Sequence, residues 1–124
     1  MRPIIIHTYD GRVVADRAWL ATTFRERAQG WLGKQGIQAG EALLLRPASS
    51  VHSFGMTFTF DLVFLDRHGR VLKLCPQMAP GRAAWGPWWA WVSFRGLQAL
   101  ELPAGTLATL GLRVGQILTF EDHA

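Results

Sequence analysis

Residues 52–66 read HSFGMTFTFDLVFLD and carry the clearest secondary-structure pattern of the chain. Apolar residues recur there at every second position: Phe58, Phe60, Leu62 and Phe64. Successive side chains point to opposite faces of a strand, so this spacing predicts a β-strand over residues 52–65. Residues 66–69 then predict a turn, and residues 70–74 are expected to pair back as the second strand of a hairpin.

Several other short segments predict strands. Asp10-Gly11 is a strong hairpin turn signal, and it lies between the β-forming residues 3–7 and 12–15. Further apolar runs predict three more strands: residues 42–46, 97–102 and 117–120. Many short strands with turn signals between them are typical of a small all-β domain. We therefore predict a mainly β fold, a single-domain β-sandwich or barrel over residues 1–124.

Helical structure is predicted in two places. Thr23 and Glu26 match a capping box, in which a Thr hydroxyl and a Glu carboxylate satisfy backbone N–H groups at the start of a helix. Apolar residues follow at helical spacing: Phe24, Ala28, Trp31 and Leu32. This α-helix in the N-terminal half is expected to end at residues 33–36. Near the C-terminus, Thr106 is the expected N-cap of a short helical turn that ends at Leu110.

The composition limits the class of protein. With 124 residues, 49% hydrophobic and 18% charged, the chain is expected to fold as one domain and not to be disordered. The net charge is +4, but basic residues are spread along the chain, which does not favour nucleic-acid binding. The single cysteine, Cys75, excludes an internal disulfide. No transmembrane segment and no export leader are recognised, so we expect a cytoplasmic protein, or a periplasmic or secreted one if a leader was removed.

Four blocks of the sequence occur in the order found in one known family. RAQGWLG at residues 27–33 looks like its R-x-x-G-L-M segment, and residues 52–66 match its signature of H-x-F/W-x-M followed by D-x-x-F-L-D. LELPAG at residues 100–105 and GLRVGQIL at residues 111–118 are similar to L-E-L-x-A-G and G-L-x-x-G-D-x-L. Over about residues 25–120, the chain resembles the domain-of-unknown-function 192 family of bacteria and archaea.

This resemblance implies a fold more clearly than a function. It implies a compact, jelly-roll-like β-sandwich with no established biochemical activity, of bacterial origin and with a link to the cell envelope or secretion. Trp31 stands where the family has Leu, and Gln116 replaces the usual Asp. The tryptophan-rich residues 85–91 are also unusual for such a chain.

Three polar residues could converge on one site: His52, Asp61 and Glu101. A histidine with two carboxylates can bind a divalent metal or act as a general acid–base set. Glu101 stands in an otherwise apolar stretch, so a buried Glu101 needs partners. The alternative is structural, with Asp61 capping a turn or pairing with an arginine, and Glu101 forming a buried hydrogen bond or salt bridge.

Aromatic and methionine side chains form a second group of candidates. Phe54 and Met56 either pack in the core or form the apolar floor of a ligand site with His52 at its rim. Residues 85–91 read WGPWWAW, and alternation along this segment would place rings on both faces, so at least one ring is expected to be exposed. Its tryptophans either plug the end of the domain or form a ligand or partner surface: Trp85, Trp88, Trp89 and Trp91.

The sequence favours a binding or accessory module over an enzyme. It has no recognisable catalytic motif, so no catalytic residue, metal ligand set or cofactor is predicted. The expected binding residues are His52, Phe54, Met56, Asp61, Glu101 and the four tryptophans of residues 85–91. The ligand classes considered are a carbohydrate and a cell-envelope partner. Two alternatives stay open: a metal-assisted or carboxylate-driven hydrolase using His52, Asp61 and Glu101, and a protein-interaction domain that docks through residues 85–91.

Overall fold

The computed structural model describes residues 1–90 and 96–123, which form nine β-strands and two short helices. The strands are β1 (Arg2–Thr8), β2 (Val13–Ala21), β3 (Glu41–Leu45), β4 (Ser50–His52), β5 (Phe60–Leu65), β6 (Val71–Met78), β7 (Ala83–Trp85), β8 (Gln98–Pro103) and β9 (Leu118–Asp122). The helices are α1 (Phe24–Gln29) and α2 (Thr106–Leu110). The predicted mainly β class, with one helix in the N-terminal half and a short one near the C-terminus, is confirmed.

Seven of the described strands form one mixed sheet, in the order β6-β5-β8-β3-β2-β1-β9. Neighbouring strands are antiparallel except β2 and β3, which run parallel. A parallel pair needs a crossover connection, and the segment that contains α1 supplies it. The strands β4 and β7 form a separate antiparallel pair. This topology is more specific than the sandwich or barrel expected from the sequence.

Both faces of the large sheet are covered, as the complete burial of β5 shows. Val63 and Leu65 of β5 belong to an apolar cluster, the Val63 cluster, that also includes residues of β1, β2 and β9. Phe60, Leu62 and Phe64 point to the other face and belong to a second cluster, the Phe60 cluster. The segment after α1 and the strand β4 contribute to the Phe60 cluster, so they cover that face of the sheet.

The two edge strands of the large sheet meet near the starts of β6 and β9. Val71 N donates to Gln116 O and Gly115 N donates to Val71 O, each at 2.8 Å. Leu118 N donates to Gly69 O, also at 2.8 Å. Gly69 has a φ of +85°, and a Cβ atom at this position would clash with the carbonyl oxygen of Leu118. Glycine is therefore required where the turn before β6 approaches β9.

The capping box of α1 is confirmed, but the predicted end of the helix is wrong. Thr23 Oγ1 accepts from Glu26 N at 3.1 Å, and Glu26 Oε1 accepts from Thr23 N at 3.2 Å. The helix ends at Gln29 because Gly30, with φ +44° and ψ −124°, turns the chain out of helical geometry. Phe24, expected on an apolar stripe, is 81% exposed. The six-residue helix α1 buries none of its own residues.

The predicted continuous strand over residues 52–65 is also wrong. The chain leaves β4 after His52 and enters β5 only at Phe60, with a loop between them. The apolar alternation nevertheless extends through this loop, because Met56 and Phe58 pack partly buried against the Phe60 cluster. Hydrophobic spacing therefore cannot locate the break between the two strands.

In the described part of the chain, neither helix has the length and apolar character needed to cross a membrane.

Candidate functional site

A cleft of about 400 Å³ opens on the face of the sheet that carries the Phe60 cluster. It is bounded by residues 27–32, by residues 47–52 and by the loop residues Phe54 and Met56, and Glu101 of β8 lies in its lining. We call this space the Glu101 cleft. It brings together four of the predicted binding residues: His52, Phe54, Met56 and Glu101. That they bind a ligand stays a prediction.

Glu101 is an acidic residue in an apolar part of the sheet. Its partners on the flanking strands are Leu43 of β3 and Leu62 of β5, and only 3% of its surface is exposed. None of the described residues forms a hydrogen bond or an ion pair with its carboxyl group. Burial raises the pKa of Glu101 to about 8. At neutral pH the carboxyl group is therefore mainly protonated and can both donate and accept a hydrogen bond.

A second buried polar group belongs to the same cleft. Trp31 follows α1, lines the cleft and packs in the Phe60 cluster. Within the described residues, its indole Nε1 is enclosed and has no hydrogen-bond acceptor. Buried polar groups without a partner are uncommon in native proteins. Trp31 and Glu101, which both line the cleft, each carry such a group, although the enclosed indole Nε1 is not open to the cleft.

The helical wall of the cleft is held in place by Arg27. Its Nη1 donates to the carbonyl oxygen of Thr22 at 3.1 Å and to that of Arg46 at 3.3 Å. The first bond joins α1 to the residue after β2, and the second joins it to the residue after β3. Gly30 then reverses the chain direction, so that Trp31 enters the Phe60 cluster. The R-x-x-G block of the sequence thus positions the Trp31 indole at the cleft.

The opposite rim is aromatic. The rings of His52 and Phe54 stack with centroids 5.2 Å apart and planes inclined by 23°, and both side chains are exposed. Between them, Ser53 is fully buried. Its hydroxyl donates to Ala79 O at 2.7 Å and accepts from Arg82 N at 2.9 Å. These hydrogen bonds fix the loop that carries Phe54.

Asp61 is fully buried, but its side chain points to the other face of the sheet from Glu101. Its carboxylate accepts hydrogen bonds from Gln77 N and from Leu107 N, each at 2.9 Å. The bond to Leu107 caps the start of α2, and the predicted N-cap Thr106 is wrong, because the N-cap is Gly105, which has no side chain to offer. The structure therefore does not assemble His52, Asp61 and Glu101 into one site. Among the described residues, no three His, Cys, Asp or Glu side chains are grouped so that they could hold a metal ion.

The tryptophan segment, residues 85–91, lies outside the lining of the Glu101 cleft as far as the structure describes it. Trp85 ends β7, and Trp88 and Trp89 lie in a 3₁₀ turn. Trp85 is 53% exposed, Trp88 84% and Trp89 54%, so the expectation of at least one exposed ring is confirmed. Trp89 also lines a separate cavity of about 470 Å³. Trp91, the fourth predicted tryptophan, falls outside the described residues.

Two residues that shape the cleft are missed by reasoning from the sequence. Trp31 is predicted only as part of a helical stripe, although tryptophan in place of leucine introduces an N–H group at an apolar position. Ser53 is not predicted at all. Its partners Ala79 and Arg82 lie in the connection between β6 and β7, and no local pattern reports such a distant contact.

Solved structures with the same fold come from two bacteria. A protein of unknown function from Novosphingobium aromaticivorans is 23% identical to this chain, with a TM-score of 0.73 over 94% of this chain and 83% of that one. A proposed transcription regulator from Sinorhizobium meliloti is 19% identical, with a TM-score of 0.75 over 96% of this chain and 92% of that one. At these identities the likeness shows the fold alone.

A comparison with curated proteins gives no match. The family model of DUF192, described as "Uncharacterized ACR", matches residues 5–120. This span includes both helices, the residues that bound the Glu101 cleft and all four blocks noted in the sequence. The chain therefore belongs to the DUF192 family of uncharacterised proteins.

Proposed function

We propose that the protein is a binding module and that its ligand occupies the Glu101 cleft. The observation that carries this proposal is the Glu101 carboxyl group, which is buried and has no protein partner among the described residues, yet lies in the lining of a cleft. A volume of about 400 Å³ suits a small organic molecule. The carbohydrate considered from the sequence is one such ligand.

Stability alone gives no reason for an acid at this position. Leu43 and Leu62 flank Glu101, so a leucine there would continue the apolar cluster without leaving a polar group unsatisfied. Residues that lower stability in this way are commonly found where a protein binds or reacts. A ligand that forms a hydrogen bond with the carboxyl group would offset the cost of its burial.

Binding fits this geometry better than hydrolysis does. A carboxylate-driven hydrolase needs a second catalytic group beside the first. Asp61, the second carboxylate considered from the sequence, is instead held by two backbone N–H groups on the other face of the sheet. His52 lines the cleft, but it lies at the exposed rim, stacked on Phe54.

The proposal can be tested by NMR with nitrogen-15-labelled protein and a library of neutral, cationic and anionic fragments. We expect a subset of the fragments to shift the indole N–H signal of Trp31 and the backbone signals of residues 50–56. The same fragments should lose their effect in Glu101→Leu, which we expect to remain folded, and keep it in Trp88→Ser, which changes an exposed side chain outside the cleft. A library that shifts no signal of the cleft, or shifts that persist unchanged in Glu101→Leu, would overturn the proposal.

The protein-interaction alternative through residues 85–91 stays a prediction. The exposure of Trp85, Trp88 and Trp89 meets the first requirement of such a surface. Self-association through this segment would be seen by analytical ultracentrifugation. It should disappear in the double variant Trp88→Ser and Trp89→Ser and persist in Glu101→Leu.

A further inference from the structure

Resting on the proposed function, we infer that the Glu101 cleft binds a neutral molecule with several hydroxyl groups, a sugar or a polyol. One hydroxyl group of this ligand would form a hydrogen bond with the Glu101 carboxyl group. Three features of the cleft lead to this ligand class: its charge, its two unsatisfied groups and its aromatic rim.

The charges around the cleft favour a neutral ligand. Among the described residues, Arg27 and Glu101 are the ionisable groups of its walls, with His52 at the rim. The Nη1 atom of Arg27 is engaged with two backbone carbonyl groups, so an anion would have to bind through the remaining guanidinium nitrogens. A cation would pair with Glu101 only after the carboxyl group had lost its proton. The cation and the carboxylate would then both be desolvated beside Leu43 and Leu62, which is costly.

A hydroxyl group suits the two unsatisfied groups better than other neutral groups do. It donates and accepts through the same oxygen atom, so it can pair with a protonated carboxyl group in either direction. The Trp31 indole can only donate, and a hydroxyl oxygen can accept from it once the ring moves enough to expose its enclosed Nε1. Trp31 and Glu101 both line the cleft, so once Nε1 is exposed two hydroxyl groups of the same small molecule can pair with them.

The rim supplies an apolar plane next to these polar groups. The stacked rings of His52 and Phe54 offer an aromatic surface, and Ser49 and Ser50 line the same cleft. A sugar ring has one face of C–H groups and an edge of hydroxyl groups. It can therefore pack on the rings while its hydroxyl groups face Glu101 and the serines.

The test uses three variants and three kinds of probe. Wild-type protein, Glu101→Gln and Glu101→Leu are titrated by NMR with a panel of common monosaccharides and polyols, with choline as the cation and with acetate as the anion. Gln has nearly the same shape as a protonated Glu and keeps one donor and one acceptor. A neutral ligand should therefore bind Glu101→Gln within about threefold of wild type, and bind Glu101→Leu roughly tenfold more weakly or worse.

Each outcome decides between the ligand classes. Choline binding that is lost in Glu101→Gln, or acetate binding at the cleft, would overturn the neutral ligand but leave the proposed binding function standing. Sugars that shift only residues 85–90 and lose their effect in Trp88→Ser would overturn the assignment to this cleft. If no probe of any class shifts Trp31 or residues 50–56, the ligand class and the proposed function both fail. Circular dichroism of Glu101→Leu shows that lost binding is not caused by unfolding.

Discussion

Asp61 and Glu101 lie on adjacent strands, one register step apart, and their side chains leave opposite faces of the sheet. Asp61 pairs with Leu102, and the next residue, Leu62, pairs with Glu101. Paired residues share a face and successive residues alternate, so Asp61 and Glu101 point to opposite faces of the sheet. The Asp61 carboxylate accepts two backbone hydrogen bonds, whereas the Glu101 carboxyl group has no partner among the described residues. Asp61 therefore has a structural role, and recognition is the role that we propose for Glu101.

Replacing Asp61 with alanine should weaken the fold strongly. The substitution leaves Leu107 N without an acceptor in a buried place and Gln77 N without one in a partly buried place, which should lower the free energy of unfolding by about 2–5 kcal/mol. Asp122→Ala is the control, because Asp122 is exposed and its pairing with Arg2 is at the surface. Urea denaturation followed by tryptophan fluorescence measures both variants. Equal stability of the two would contradict the structural role of Asp61.

The stability of the protein should fall as the pH rises from about 5 to 8. The folded-state pKa of Glu101 is about 8, above its ordinary value of 4.5, so between these values the folded chain binds more protons than the unfolded chain. This contribution to stability is complete below pH 4.5 and is lost as the pH passes through 8. One titrating group can change the free energy of unfolding by at most about 1.4 kcal/mol per pH unit.

Glu101→Gln is the matched control for this pH dependence. Glutamine keeps the size and polarity of the protonated acid but does not titrate, so the variant should lose the slope between pH 5 and pH 8. Urea denaturation at four pH values in that range is sufficient to see it. If the variant declines as steeply as the wild type, the decline does not come from Glu101.

The fold is predictable from the sequence where its causes are local. The capping box of Thr23 and Glu26 needs only residues three apart, and the alternation within β5 and β8 predicts both faces of each strand. The break between β4 and β5 is not predictable in this way. It depends on hydrogen bonds from Ser53 to the connection between β6 and β7, while the apolar spacing continues across it.

The candidate site is predictable only in part, because faces of different strands must be combined. Glu101 is recognisable as an acid in an apolar stretch, and His52, Phe54 and Met56 as its companions. Whether Asp61 shares their site depends on the register between β5 and β8, which pairs Leu62 with Glu101. Register is a property of two distant segments, and a shift by one residue would have placed both acids on one face.

Closure of the sheet should depend on Gly69. Alanine at this position must adopt a positive φ and also clash with the carbonyl oxygen of Leu118, so Gly69→Ala should separate the turn from β9. Gly81→Ala is the matched control, because Gly81 has a similar φ of +74° but open space around it. The control Gly81→Ala should lower the free energy of unfolding by about 1–2 kcal/mol, because of the backbone conformation alone. Gly69→Ala should lower it by clearly more. Thermal unfolding of both variants compares them, and equal losses would mean that the contact with Leu118 is not needed.

Ser53→Ala should loosen the rim of the cleft more than it weakens the whole fold. Without the hydroxyl, Arg82 N loses its acceptor and Ala79 O loses a donor, which should cost about 1–3 kcal/mol and leave the loop with Phe54 less fixed. Amide hydrogen exchange checks this directly, since the Arg82 amide should exchange faster in Ser53→Ala, while the amides of β5 remain protected. Ser50→Ala is the control for the exchange measurement only, because Ser50 is an exposed neighbour that itself lines the cleft. Unchanged exchange at Arg82 would show that the loop is held by the backbone bonds between Ser53 and Arg82 or Gly81 and not by the hydroxyl.

Faster exchange together with weaker binding of a cleft ligand would instead show that Ser53 positions the aromatic rim for recognition.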